Sequence, residues 1–256
     1  MRDEQTGWID LHGVEFALLW RALGFGDTPE WLGIPHFGRT PAARAEWTAN
    51  ASEALTSRQL GTVERPASDL AALLRAVGNA QRVLELQVDT PESALRGLGA
   101  TGPEGTAAVA RVDTQVRVGP AHEEDLVRTM LEVPPPLGPA SGMSANLPVA
   151  DFEEACAAGA LEGVGSFVEV LQSQGIRREE SVTLSRALTT RVAGGRLGAR
   201  ASDGSGHWYR APATVAWLDT EDGRYALRTD GEWITVTPAD PVRLLTMAEE
   251  MFAAVV

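Results

Sequence analysis

Three Asp-Gly dipeptides, Asp203-Gly204, Asp222-Gly223 and Asp230-Gly231, punctuate the last part of this chain. Aspartate followed by glycine supplies the positive φ angles of tight hairpin turns, and each pair is flanked by β-rich segments. The spacing predicts strands over about 196–202, 207–218, 224–229 and 233–237. Pro212 then marks a bulge or an edge position, because proline has no N–H to give to a ladder. A terminal helix over about 238–254 follows, with Pro241 in its first turn and Leu244, Leu245, Met247, Met251 and Phe252 on its inward face.

The rest of the chain alternates between the two periods. Trp8-Ile9-Asp10-Leu11 reads as a short strand, and 14–23 is apolar nearly all round, as a buried helix would be. Thr40-Pro41 pairs an N-cap residue with proline at the first helical position and opens a helix to about Thr56. Leu70, Leu73, Leu74 and Val77 stand at i, i+3, i+4, i+7 and predict an amphipathic helix over about 66–81. Val83, Leu84, Leu86 and Val88 mark a strand. Residues 89–106, rich in Gly, Thr and Pro, read as a loop with a helical turn near 91–98. Residues 107–118 are β-like and 122–132 helical. Prolines and glycines crowd 133–148, the best candidate linker. Asp151-Phe-Glu-Glu154 has the spacing of a helix start. Two or three helices follow to about Val192, broken near Gly163 and Gly175.

The two halves echo each other. Ala107-Ala-Val-Ala-Arg-Val-Asp-Thr114 agrees at five of eight positions with Ala213-Thr-Val-Ala-Trp-Leu-Asp-Thr220. Val118-Gly-Pro-Ala121 and Val236-Thr-Pro-Ala239 both precede a helix. The alternative is coincidence in an Ala/Val-rich chain. A true repeat implies an α+β fold: a central antiparallel sheet with two helical lobes and quasi-two-fold internal symmetry. The expectation is one domain over 1–256, with pseudo-halves at about 1–135 and 149–256 joined by the Pro/Gly-rich segment 133–148.

Composition narrows the function. With 256 residues and 44% hydrophobic content the chain can bury a substantial core. Its net charge of −13 repels phosphate backbones and anionic lipid, against nucleic-acid and membrane-surface roles. Met1 to Gly7 is polar and acidic, and no stretch approaches the roughly 20 apolar residues that span a bilayer. The expected location is the cytoplasm, with no direct membrane insertion. Cys156, the sole cysteine, has no partner for an internal disulfide.

Reactive constellations are not legible. His12, His36, His122 and His207 are scattered without metal-ligand spacing, and His12 and His122 stand near helix starts, where capping or solvation is the ordinary role. Gly99 to Gly105 has no Lys or Ser/Thr at its closing position, and Pro103 removes an amide donor, so it is no phosphate loop. Gly194-Gly195-Arg196-Leu197-Gly198 follows a helix and precedes a strand, the reverse of a dinucleotide loop. Glu153-Glu154, Glu179-Glu180 and Glu249-Glu250 are adjacent on helices and diverge by about 100°. The reading is therefore a binding protein and no enzyme, with no cofactor and no metal.

The C-terminal residues carry a resemblance. Ala213 to Tyr225, ending in Asp219-Thr220 and Gly223-Arg224-Tyr225, followed by Asp230-Gly-Glu-Trp-Ile-Thr-Val-Thr-Pro-Ala-Asp240 and Arg243-Leu244, resembles the closing signature of the EspG family, with Glu232 inserted between Gly231 and Trp233. Ile9-Asp-Leu11, Leu23-Gly24 and Pro29-x-x-Leu32 resemble its opening, so the likeness spans nearly the whole chain. It implies a cytosolic chaperone of type VII (ESX) secretion. Such a protein binds the apolar helical tip of a PPE protein within a PE–PPE heterodimer and keeps the pair soluble and export-competent. An exposed apolar tip is an aggregation liability that a groove can cover.

By that resemblance the client meets the loop at 89–106, through Thr90, Pro91, Leu95, Leu98, Thr101 and Pro103, and a helical lobe over about 151–192. In the lobe Val164, Phe167, Val168 and Leu171 have helical spacing, although such a stripe more often packs on its own sheet. Trp208, Trp217 and Trp233 fall in strands, where core or cross-strand packing outranks client binding. Gly223 and Gly231 are assigned to turns, and Asp240 to the cap of the last helix. The competing readings are a small-molecule or acyl-group enzyme on an α+β sheet, which needs a pocket of converging polar groups, and a self-associating structural protein.

Overall fold

The computed structural model describes residues 2–38 and 40–255. Two compact units emerge. Met1–Gln87, Ser93–Met130 and Arg200–Trp208 make up the first; Val88–Glu92, Leu131–Ala199 and Tyr209–Val256 make up the second.

In the first unit β1 (Ile9–His12) leads directly into α1 (Gly13–Ala22). His12 caps that helix: its imidazole accepts from the Val14 N–H, and Glu15 accepts from the His12 N–H at 2.7 Å. Phe16, Leu19 and Trp20 are buried, as the all-round apolar run predicts. A 3-10 turn (Glu30–Leu32) and α2 (Pro41–Ser57) follow, α2 capped by Thr40 Oγ1 with Pro41 in its first turn. Next comes α3 (Ser68–Gly78), which buries Leu70, Leu74 and Val77. The strands β2 (Arg82–Asp89), β3 (Ala94–Gly102), β4 (Gly105–Val112) and β5 (Gln115–Pro120) then lead to α4 (Leu126–Leu131). The strand order is β1-β5-β4-β3-β2, and the β1/β5, β5/β4 and β4/β3 ladders are antiparallel.

The second unit repeats the plan. After β6 (Ala145–Pro148) come three helices, α5 (Val149–Glu162), α6 (Val164–Ser173) and α7 (Arg178–Thr189). The strands β7 (Arg191–Ser202), β9 (Ala213–Thr220), β10 (Gly223–Asp230) and β11 (Trp233–Pro238) precede α8 (Pro241–Ala253), with a three-residue β8 (Trp208–Arg210) between β7 and β9. The order is β7-β9-β10-β11-β6, with antiparallel pairing throughout. Asp240 caps α8, its carboxylate accepting from the Arg243 N–H at 2.8 Å. Leu244, Met251 and Phe252 are buried on the predicted face.

Each unit is thus a strand, a set of helices, a strand meander and a closing helix, with the first strand paired to the last. The fold is α+β with antiparallel sheet, as the sequence implies. One half of the sequence echo holds: Val118–Ala121 and Val236–Ala239 both end the last strand and lead to the closing helix. The other half does not. Ala107–Thr114 lies on β4, third in its meander, whereas Ala213–Thr220 is β9, whose counterpart by position is β3.

The reason is a strand that looks like a loop. Residues 89–106 contain β3, paired with β4 from Leu95↔Val112 to Gly102↔Gly105. Its glycines are there for space: a Cβ at Gly97 would stand 3.1 Å from Met130, and one at Gly99 2.9 Å from Leu126. The α4 side chains lie directly over the backbone, where any larger residue would collide. Residues 131–148 all belong to the second unit, and the last four form β6.

Candidate functional site

The helices α5, α6 and α7 of the second unit form the most distinctive surface. Gly163, at φ +93°, breaks the chain between α5 and α6. Gly159 lets those two helices meet, since a Cβ there would lie 3.0 Å from the Phe167 Cβ. Phe152 packs edge-on to Phe167, with ring centroids 6.4 Å apart. Arg177 is the cap position before α7, and its N–H donates to Glu180 at 3.1 Å; the Arg177 side chain also bonds that carboxylate and holds its pKa below the usual glutamate value. α5 begins at Val149, so Asp151 sits in its first turn and is not its cap.

Between the three helices lies an open apolar recess of about 200 Å³. Cys156, Gly159 and Ala160 of α5, Val164 and Phe167 of α6, and Ser185, Leu188 and Thr189 of α7 line it. Leu161 is 86% exposed, Val164 47% and Leu188 37%; Val182 and Val192 are also exposed. Burial first, and the charge of Glu153 second, push the Cys156 thiol above its ordinary pKa, so at neutral pH it is protonated and poorly nucleophilic. The polar lining groups are the Ser185 and Thr189 hydroxyls and this thiol. No group of three or more His, Cys, Asp or Glu side chains placed to hold a metal occurs among the described residues.

The structure divides the sequence candidates. Val164 is a wall of the recess and Phe167 its buried floor. Val168 is half-buried against the core of the unit, and Leu171 lies fully inside that core. The ordinary reading of the stripe, packing on its own sheet, therefore holds for Leu171 and largely for Val168.

In the segment 89–106 the expectation of exposure fails for Leu98 and Thr101, because both are in β3. Leu98 is buried in the core of the first unit, and Thr101 is buried with its hydroxyl 2.9 Å from that of Thr106. Leu95 is half-buried at the start of β3, and Pro103 is exposed in the turn after it. They are eight steps apart along an extended chain, about 26 Å at about 3.3 Å per residue, so they do not form one patch. Thr90 is half-buried and Pro91 exposed, just before β3. Of the tryptophans, Trp217 is buried, whereas Trp208 and Trp233 are 41% and 51% exposed.

Sequence reasoning missed Cys156, Ala160 and Leu188 of the recess lining, and the exposed Leu161. A signal was available: Leu161 and Val164 bracket Gly163, and apolar residues on both sides of a helix break seldom all point inward.

The second helical lobe of this α+β fold thus presents an open apolar recess, and no reactive side-chain cluster lines it. The family model of the EspG family matches residues 12–250. This chain is therefore a member of the EspG family. Among solved structures it is similar to the Mycobacterium tuberculosis type VII secretion system chaperone EspG5, determined in complex with the PE25–PPE41 dimer. The TM-score is 0.77 over 97% of both chains, at 16% identity. No curated protein matches the chain. No helix among the described residues is long and apolar enough to cross a membrane.

Proposed function

We propose that this protein is a cytoplasmic chaperone of a type VII secretion system. It binds a PE–PPE-like heterodimer through the apolar helical tip of the PPE member and keeps the pair soluble and export-competent, without bond-making chemistry of its own. The observation that carries the proposal is the open recess among α5, α6 and α7, in a chain of the EspG family. The EspG5 complex with PE25–PPE41 supports the choice of partner.

The recess is large enough for one or two apolar side chains, which makes it an anchor and not the whole interface. A stable complex of this kind buries about 1,200–2,000 Å² in total, with a few central side chains dominating. Val164, Phe167 and Leu188 form the anchor site, and Leu161 is a further exposed apolar residue at the end of α5. Thr90, Pro91 and Leu95 remain proposed contacts, and Pro103 is accessible to one. The protonated Cys156 and two hydroxyls do not make an acid–base or nucleophilic site, which disfavours the enzyme reading.

The test is co-expression with a PE–PPE pair encoded beside this gene, followed by size-exclusion chromatography. The three chains should co-elute at equal stoichiometry, and Cys156 should lose reactivity toward a maleimide in the complex. Separate elution of a folded chaperone and a soluble pair would defeat the proposal.

A further inference from the structure

We infer that Tyr225 and Thr183 are positioning residues for the recess: through a strap of chain at 133–144 they hold α7, one wall of the site, in place. This inference rests on the proposed function for its link to client binding, but the placement of α7 is testable without any client.

The strap is fastened to β10 by the motif Gly223-Arg224-Tyr225. The buried Arg224 bonds both Asp219 oxygens, Nε to Oδ1 at 2.6 Å and Nη2 to Oδ2 at 3.0 Å, and donates from Nη2 to the Pro135 carbonyl at 3.0 Å. Its backbone N–H donates to the Gly138 carbonyl, and its carbonyl accepts from the Ala140 N–H. Gly223, at φ +131°, has no room for a side chain: a Cβ would stand 2.7 Å from the Ala140 nitrogen. Tyr225 then donates its hydroxyl to the Ser141 carbonyl at 2.7 Å. The motif is thus a clasp for the strap.

The strap reaches α7 at Thr183. The Met143 N–H donates to Thr183 Oγ1 at 3.1 Å, and Gly142 passes so close that a Cβ would stand 2.5 Å from that oxygen. Thr183 Oγ1 itself donates to the Glu179 carbonyl one turn back. Tyr225 holds the strap at Ser141, two residues before Met143, and so sets where that contact with α7 falls. Thr183 lies on the buried side of the helix, roughly opposite Ser185, Leu188 and Thr189, which line the recess. The clasped strap therefore ties down, through Thr183, the helix whose other face lines the recess. A preformed wall raises affinity because the site is not ordered at the client's cost.

Tyr225→Phe and Thr183→Val each remove ties while keeping shape. Each is expected to weaken the client complex about 3–10-fold, the scale of one net hydrogen bond. In the free protein each should speed maleimide modification of Cys156, which faces α7 across the recess, about 3–10-fold. Asp240→Ala, which removes the cap of α8, is the control for general destabilisation and should change neither quantity.

Wild-type thiol rates in both Tyr225→Phe and Thr183→Val, or equal acceleration in Asp240→Ala, would overturn the inference. If the wild-type chain binds no PE–PPE pair, the functional reading fails, and the thiol rates of the free chain still decide the role of the strap.

Discussion

The two units share a strand plan but use their helices differently. In the first unit α1 and α3 turn Phe16, Leu19, Trp20, Leu70 and Leu74 into a closed core. In the second, α5, α6 and α7 send Phe167, Leu171 and Leu184 inward yet leave Leu161, Val164, Val182 and Leu188 in water. Exposed apolar residues grouped around a recess are costly for a free protein and useful only when something covers them. The difference teaches that a duplicated framework can keep one copy for stability and release the helices of the other for binding.

The largest expected effect breaks this comparison directly. Leu74→Arg on α3 forces a charge into a filled core and should cost about 4–5 kcal/mol or more, enough to unfold the first unit. Leu188→Arg on α7 enters the open recess and should shift stability by no more than about 0.5 kcal/mol, while abolishing client binding. Urea unfolding followed by circular dichroism, alongside co-elution with the client pair, reads both. A Leu188→Arg chain that unfolds as readily as Leu74→Arg would show that the recess is core after all.

A second contrast concerns the buried ion pairs. Arg224 and Asp219 are both nearly inaccessible, so Arg224→Ala leaves an uncompensated carboxylate and should cost about 3–5 kcal/mol. In the first unit Arg58 pairs with Glu15, but the Arg58 side chain is 28% exposed and Glu15 also holds the His12 N–H. Water can replace part of that guanidinium, and Arg58→Ala should cost about 1–3 kcal/mol. Denaturation midpoints of the two variants, compared at one pH, check the order.

The next test concerns the glycines of β3. Gly99→Val would press a branched side chain against Leu126 and Met130 of α4, and overpacking of that kind costs about 1–3 kcal/mol. Gly198 in β7 meets nothing within 4 Å, so Gly198→Val should be close to neutral. Thermal melts of the pair separate glycine kept for space from glycine without a packing reason.

That same strand explains what could be read from the sequence. The hairpin turns, the Thr40 and Asp240 caps, the buried α1 and the stripe of α3 were legible because each depends on local chemistry: a turn residue, a cap or a period. Pro212 was read as a bulge or an edge position within one strand at about 207–218, but the chain instead divides there, β8 ending before it at Arg210 and β9 starting after it at Ala213. β3 was not, since its glycines answer to α4, which lies far along the chain. The echo misplaced β4 against β9 for the same reason, the true counterpart of β9 having been read as a loop. In the site, Val164 and Phe167 were legible from helical spacing. Leu188 was not, because only the packing of three helices decides which face of α7 remains uncovered.

The smallest effect lies at the start of α7. Arg177 bonds the Glu180 carboxylate and lowers its pKa in the folded chain, with the capping N–H of Arg177 adding to the effect. A carboxylate with a depressed folded pKa adds stability that is present above its unfolded pKa, about 4.3, and is lost as pH falls through the folded value. Glu180→Gln removes the charge at every pH. The stability gap between wild type and Glu180→Gln should therefore be open at pH 6 and close as the pH drops below the mid-4s. Melting temperatures of both chains across that window measure it. A gap that stays constant through the window would mean that the carboxylate holds α7 by shape alone. The pH dependence of the second unit would then have to originate elsewhere.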